Sequence, residues 1–281
     1  MRDIDCHIVA ETVSSLFKEA CFSLPQDVLS ALERAREKEI SPAARGVLET
    51  IIENATIASI DGIPLCQDTG VAVVFLEIGQ EVHITGGDLN SAVQDGVRLA
   101  YDEGYLRKSI VDRPFSLRTN TGDNTPAIIH ADIVSGDKLV ITAMPKGGGA
   151  ENMTRLKMLF PADGRSGVID FVVRTVDESG GNPCPPLIIG VGIGGTAEYS
   201  LLLAKKALLR PIGEPNPDLE NAELEKEILE KVNSLGIGPM GFGGLTTALA
   251  IHVETHPAHI ASLPVAVNLQ CHSARQKKAV L

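Results

Sequence analysis

Three of the five cysteines in this 281-residue chain stand in settings that suit chemistry better than packing. Cys66 lies in Ile63-Pro64-Leu65-Cys66-Gln67-Asp68-Thr69-Gly70 and Cys184 in Gly180-Gly181-Asn182-Pro183-Cys184-Pro185-Pro186, each just before a predicted strand. Cys271 follows one, in Asn268-Leu269-Gln270-Cys271-His272-Ser273. Prolines stiffen such loops, and glycines let backbone approach a bulky group. Thiolates are good ligands for soft iron centres. A 4Fe–4S cluster held by three thiolates keeps one iron open to a substrate oxygen, as a Lewis acid, whereas four thiolates suit electron transfer. The wide gaps between these cysteines form no compact ligand motif, so spacing alone leaves the metal site open. Cys6 and Cys21 fall on or near apolar helix stripes and read as small core hydrophobes.

Other segments carry polar chemistry. Arg118-Thr119-Asn120-Thr121-Gly122-Asp123-Asn124-Thr125-Pro126 is dense in side chains that bond backbone and make turns, and alone reads as a surface loop. Lys146-Gly147-Gly148-Gly149-Ala150-Glu151-Asn152 follows a strand and opens a helix; its glycines either present N–H groups to an anion or simply turn the chain. Gly190-Val191-Gly192-Ile193-Gly194-Gly195 satisfies G-x-G-x-x-G between a strand and a helix, which keeps a nicotinamide-dependent oxidoreductase as a rival reading. The second strand ending in an acid, which that fingerprint needs, is replaced by Arg210-Pro211-Ile212-Gly213-Glu214-Pro215. His252, His256, His259 and His272 cluster late, so a zinc site on His256 and His259 is a further alternative, with Pro257 between them against it.

The elements that must position these residues alternate irregularly. The first 60 residues read as short helices, with Ile4, Ile8, Val9, Val13, Leu16, Phe17 and Ala20 on one stripe. Strands are predicted over 71–78, 187–191, 247–253 and 264–270, and over 127–134 and 138–144 as a pair joined by Ser135-Gly136-Asp137. Helices are predicted over 89–103, 167–178 and 196–209, and a charged, solvated one over 218–235. The class is mixed α+β, a helical N-terminal segment packed on mixed β-sheet lobes. The chain reads as one domain over 1–281, with a sub-lobe boundary near 210–220, where Pro and Gly concentrate.

Composition narrows the function. The formal charge of −11, the absence of Trp and an aromatic content of 4% argue against a nucleic-acid face. No apolar run reaches the ~20 residues needed to span a bilayer. The acidic Met1-Arg2-Asp3-Ile4-Asp5-Cys6 start lacks a signal-peptide pattern, so the chain reads as cytoplasmic with reduced cysteines.

Taken in order, five segments resemble one family: Leu65-Cys66-Gln67-Asp68-Thr69-Gly70, Asn120-Thr121-Gly122-Asp123-Asn124-Thr125-Pro126, Pro145 to Asn152, Asn182-Pro183-Cys184-Pro185-Pro186, and His259 to His272. From the first helix to about Arg275 the chain is similar to the α subunits of the two-subunit class I fumarate hydratases and L(+)-tartrate dehydratases. The resemblance implies a 4Fe–4S cluster on Cys66, Cys184 and Cys271, and reversible addition of water across the double bond of a small dicarboxylate. Fumarate hydration to L-malate is the leading reading, and L(+)-tartrate dehydration the alternative. The resemblance also implies that Gln67, Arg107 and Gly148 bind substrate and that Asp68 and His259 act in catalysis. Single-chain members carry a further C-terminal domain with more basic residues. A separate β subunit, in an α2β2-like hetero-oligomer, is therefore expected to supply the C3 base and the missing cations. A non-catalytic iron–sulfur scaffold or sensor is the reading from a different class, and a visible chromophore bleached by air separates either cluster reading from a dinucleotide site.

Overall fold

A computed structural model describes all residues, Met1–Leu281. Along the chain come β1 (Arg2–Asp5), α1 (Cys6–Phe22), α2 (Gln26–Lys38), α3 (Pro42–Asp61), β2 (Val71–Gly79), β3 (Val82–Thr85) and α4 (Leu89–Glu103). The short strands β4 (Val111–Asp112) and β5 (Thr119–Asn120) follow, then β6 (Ile128–Val134), β7 (Leu139–Lys146), α5 (Gly148–Glu151), β8 (Arg155–Leu159) and α6 (Gly164–Ser179). The rest holds β9 (Leu187–Gly194), α7 (Ala197–Ala207), α8 (Leu219–Ser234), β10 (Ala248–His256), β11 (Leu263–Gln270) and β12 (Lys277–Val280). The class is mixed α+β, as the sequence predicts. No helix is long and apolar enough to cross a membrane.

The chain divides into two compact units that share it discontinuously. The first comprises Met1–Pro25, Asn54–Gly148 and Arg275–Leu281, and the second Gln26–Glu53 and Gly149–Ala274. The segment 210–220 lies inside the second unit.

In the first unit, the sheet runs β12-β7-β2-β6, with β2 antiparallel to β7 and parallel to β6. The predicted β6–β7 pairing is therefore corrected, because β2 lies between them. The reason is burial: Ala72 to Leu76 of β2 are all buried, so this strand takes a central place, while β6 is largely exposed and sits at the edge. The helical N-terminus is also preceded by a strand, β1, paired in parallel with β3. Asp5 ends β1 and caps α1 by accepting from His7 N at 2.8 Å. α1 buries Val9, Val13, Leu16 and Phe17 in one core with Val93, Val97 and Tyr101 of α4. Gly96 permits that approach, since a Cβ there would lie 2.5 Å from Ala10 O.

In the second unit, the order is β10-β9-β11-β8, with β9 parallel to β10 and antiparallel to β11. Leu187, Ile189 and Val191 of β9 face a core shared with Val168, Val172 and Val176 of α6. Leu224, Ile228 and Val232 of α8 join that core, so α8 is half-buried, not the fully solvated helix its charge suggests. The alternate residues Gly190 and Gly192 point to the other face, where α7 lies so close that a Cβ would fall 1.9 Å from Ala204 O and 2.0 Å from Ser200 O. The glycines of the dinucleotide-like motif thus serve helix-on-strand contact at 190 and 192.

The proline-rich segment after α7 is pinned by polar groups. Ile212 N donates to Asp27 Oδ2 at 2.7 Å, and Asn216 Nδ2 to Val253 O at 2.8 Å and to Glu225 Oε1 at 2.8 Å. Arg210 pairs with Glu225. Beneath them His252 is buried, its Nδ1 3.1 Å from Ala207 O. Burial, and then the Arg210 charge, push its pKa down to about 4. Below pH 6.5 the unfolded chain binds a proton at this residue that the folded chain refuses until about pH 4. Stability at this residue is therefore full above about pH 6.5 and is lost as pH falls toward 4, by on the order of 3 kcal/mol. Urea midpoints at pH 7 and pH 5 should show this loss in the wild type, and His252→Gln should lessen it. Equal slopes in the two proteins would remove His252 from the account.

Candidate active site

The Cys66 loop joins α3 to β2 and is tied down at nearly every residue, all within the first unit. Leu65 N donates to Cys21 O at 2.9 Å, and Asn54 Nδ2 to Leu65 O at 2.8 Å. The Cys66 thiol is half-buried; Asp68 N points at its sulfur from 3.4 Å, and Gln67 Oε1 accepts from it at 3.2 Å. Asp68 is a clamp. Its Oδ1 accepts from Gly70 N at 3.1 Å and its Oδ2 from Gly148 N at 2.7 Å. Of the three glycines 147–149, Gly148 is therefore the one whose N–H meets the Asp68 carboxylate.

Deeper residues hold the next two peptides. Tyr101 is buried and donates to Thr69 O at 2.7 Å and Gly70 O at 3.2 Å. Burial, and then nearby Cys21, raise its phenol above the ordinary value, so it stays a donor. Asn124, wholly buried at a φ of 62°, donates to Gly70 O at 3.1 Å and accepts from Ser109 N at 2.7 Å. Thr69 Oγ1 donates to Arg107 O at 2.8 Å, which sets Arg107 beside the loop with an exposed side chain. Neighbouring Lys108 is instead paired with Asp102 at 3.1 Å. Gln67, Asp68, Arg107 and Gly148 thus lie in or beside the Cys66 loop. Tyr101, Asn124 and Arg275, whose Nη2 donates to Asp68 O at 2.7 Å, complete the support, and the sequence does not mark them as site residues. Tyr101 is hidden in the apolar stripe of α4, and Asn124 reads as one more turn residue. Arg275 had one available signal, its place four residues after Cys271.

The second unit brings Cys184 and Cys271 into one neighbourhood. His272, directly after Cys271, donates from N to Cys184 O at 3.2 Å, and its Nδ1 lies 3.0 Å from the same oxygen. Both thiols are half-buried. Cys184 holds a φ of 57°, the left-handed region that a side chain other than Gly or Asn seldom adopts. Loop geometry has been kept there at a conformational cost, which is common where a side chain must be aimed. His259 lies on this unit in an open cavity of about 670 Å³ with Met158, Tyr199, His256 and Ser262. The His259 Nδ1 accepts from Ala261 N at 3.2 Å, and His256 Nδ1 lies 2.9 Å from Pro257 O. His252 is buried in β10.

The donor chemistry fits an iron–sulfur centre. No disulfide joins any of the five cysteines, and the three loop thiols are half-buried while Cys6 and Cys21 are buried. Burial pushes the Cys21 thiol up to about 11, which suits a core thiol and not a ligand. At Cys66 an N–H is already directed at sulfur, the outer contact that stabilises ligated thiolates.

Residues 10–280 match the family model described as "Fumarate hydratase (Fumerase)". The chain is 48% identical over 273 residues to the protein named "Putative L(+)-tartrate dehydratase subunit alpha" of Methanocaldococcus jannaschii, covering 95% of both. It is 32% identical over 270 residues to the L(+)-tartrate dehydratase subunit alpha of Escherichia coli K12, covering 95% of this chain and 89% of that one. The Shigella sonnei protein of the same name gives the same figures. The catalytic class is that of a hydro-lyase. The chain belongs to the fumarate hydratase (Fumerase) family.

Proposed function

We propose that this chain is the α subunit of a two-subunit iron–sulfur hydro-lyase that reversibly hydrates fumarate to L-malate. Cys66, Cys184 and Cys271 are the proposed ligands of one 4Fe–4S cluster. The observation that carries the reading is the clamped Cys66 loop, in which Gln67, Asp68, Arg107 and Gly148 surround a half-buried thiol, in a chain matched to this family over residues 10–280. When bound, such a cluster supplies a Lewis-acidic iron that eases departure of hydroxide, a poor leaving group.

The chain's own residues do the rest of what it contributes. Arg107 offers an exposed guanidinium and Gln67 an exposed amide to a substrate carboxylate, as charged and neutral donors. The Asp68 carboxylate orients the Gly148 and Gly70 peptides and stands ready to relay a proton, and His259 donates a hydrogen bond or proton from its cavity. A dicarboxylate dianion calls for two or more cations, and charge must spread into a carboxylate as the C3 proton leaves. Those further cations and the C3 base are assigned to a β subunit.

L(+)-tartrate dehydration is the second reading, supported by the names of the relatives. The test is an anaerobic assay of the chain alone and with its partner, using fumarate, L-malate and L(+)-tartrate. Turnover of fumarate and L-malate that requires the partner is the expected result. Full activity from this chain alone would overturn the two-subunit assignment. A tenfold or greater preference for tartrate in kcat/KM would replace the first substrate by the second.

A further inference from the structure

Arg275 is one of the largest side chains withdrawn from water in this protein, at 2% exposed. Its Nη2 is taken by the Asp68 carbonyl at 2.7 Å, but Nε and Nη1 are buried and meet no acceptor. The Asp68 carboxylate accepts from Gly70 N and Gly148 N and forms no ion pair with the guanidinium. A guanidinium keeps its charge at any physiological pH, so its position cannot be relieved by losing a proton. A buried, unanswered charge lowers stability, and proteins retain one where an anion resides beside it.

The anion is indicated by what the Asp68 peptide joins. Its N–H points at Cys66 sulfur from 3.4 Å, while its carbonyl is held by Arg275. The guanidinium is therefore linked to the thiol through a single residue. A cluster ligated by thiolates carries net negative charge, and N–H donors and nearby cations set its stability and potential. A substrate carboxylate, which must enter and leave through water, suits a side chain 2% exposed poorly.

We propose that Arg275 positions the Cys66 loop and supplies the counter-charge for the anionic cluster that Cys66 helps to hold. The inference rests on the iron–sulfur reading of the protein. Arg275 is a positioning residue, acting through Asp68 on the ligand and not on substrate. Its buried charge is a burden to the cluster-free chain and an advantage to the loaded one, so the two states should respond oppositely to its removal.

The experiment uses the full-length chain, reconstituted anaerobically with iron and sulfide, as wild type, Arg275→Met and Arg275→Lys. Iron release to a coloured chelator is followed in the loaded proteins, and thermal unfolding in the iron-free ones. Arg275→Met should release iron at least about tenfold faster than wild type, with Arg275→Lys recovering part of the difference. The iron-free Arg275→Met chain should melt at or above the wild-type temperature. Release within twofold of wild type overturns the proposal. So does an iron-free Arg275→Met chain that is unfolded or melts lower, because a purely structural role then explains the residue. A wild-type chain that takes up no iron overturns the iron–sulfur reading itself, a result distinct from a loaded wild type whose variants hold iron equally well.

Discussion

Serine at Cys66, Cys184 or Cys271 is expected to abolish iron uptake and, with it, all hydro-lyase activity. A serine hydroxyl replaces a soft, ionisable sulfur by a hard oxygen that stays protonated, so each change removes one of the three proposed ligands without altering shape much. Cys6→Ser and Cys21→Ser are the informative contrasts. Cys21 is wholly buried, and its thiol is held protonated by burial, so serine there should cost about 1–3 kcal/mol of stability for the desolvated hydroxyl while iron content stays unchanged. Iron and sulfide analysis of anaerobically purified proteins, read beside urea midpoints, separates the two groups. A variant at Cys66, Cys184 or Cys271 that keeps its full iron would remove that residue from the ligand set.

Gly190→Ala should be strongly destabilising, although it lies away from the cysteine loops. The added methyl would stand 1.9 Å from Ala204 O, a backbone atom inside α7 that cannot rotate aside. Only lifting α7 from β9 relieves it, and overpacking on that scale costs about 3 kcal/mol or more. Gly46→Ala in α3 is the control, because a Cβ there meets nothing within 4 Å and should stabilise the helix by about 0.5–1 kcal/mol. Urea unfolding of both variants checks the sign as well as the size. A wild-type midpoint in Gly190→Ala would mean that α7 can ride up freely.

Local signals made much of this molecule legible. The limits of α4 follow from Asp88, which caps it by accepting from Ser91 N at 2.8 Å, and from Gly104 at its end. The turn at Gly180, with a φ of 51°, ends α6 where the glycine pair predicts. The strand order was not legible, because β6 and β7 are joined by a tight turn yet β2, much earlier in the chain, is the more apolar strand and takes the place between them. The same holds for the site. Cys66 stands out by type and neighbours, whereas Gln67, Asp68 and Gly148 follow only from the family resemblance; the Asp68 carboxylate meets Gly148 N. Tyr101 and Arg275 act through hydrogen bonds that reach across sequence distances of 32 and 207 residues, which no local pattern encodes.

That last distance has a consequence for biogenesis. β12 pairs with β7, and Arg275, just before it, fastens the Asp68 peptide. Asp68 leaves the ribosome some two hundred residues before its fastener does, at a synthesis rate of about 5–20 residues per second. For that interval of roughly ten to forty seconds the Cys66 loop lacks Arg275, and the β7 edge of its sheet lacks β12. Iron delivered early would meet a loop without its guanidinium. On the proposed iron–sulfur reading, loading of the Cys66 loop is therefore expected only after residue 280 has emerged.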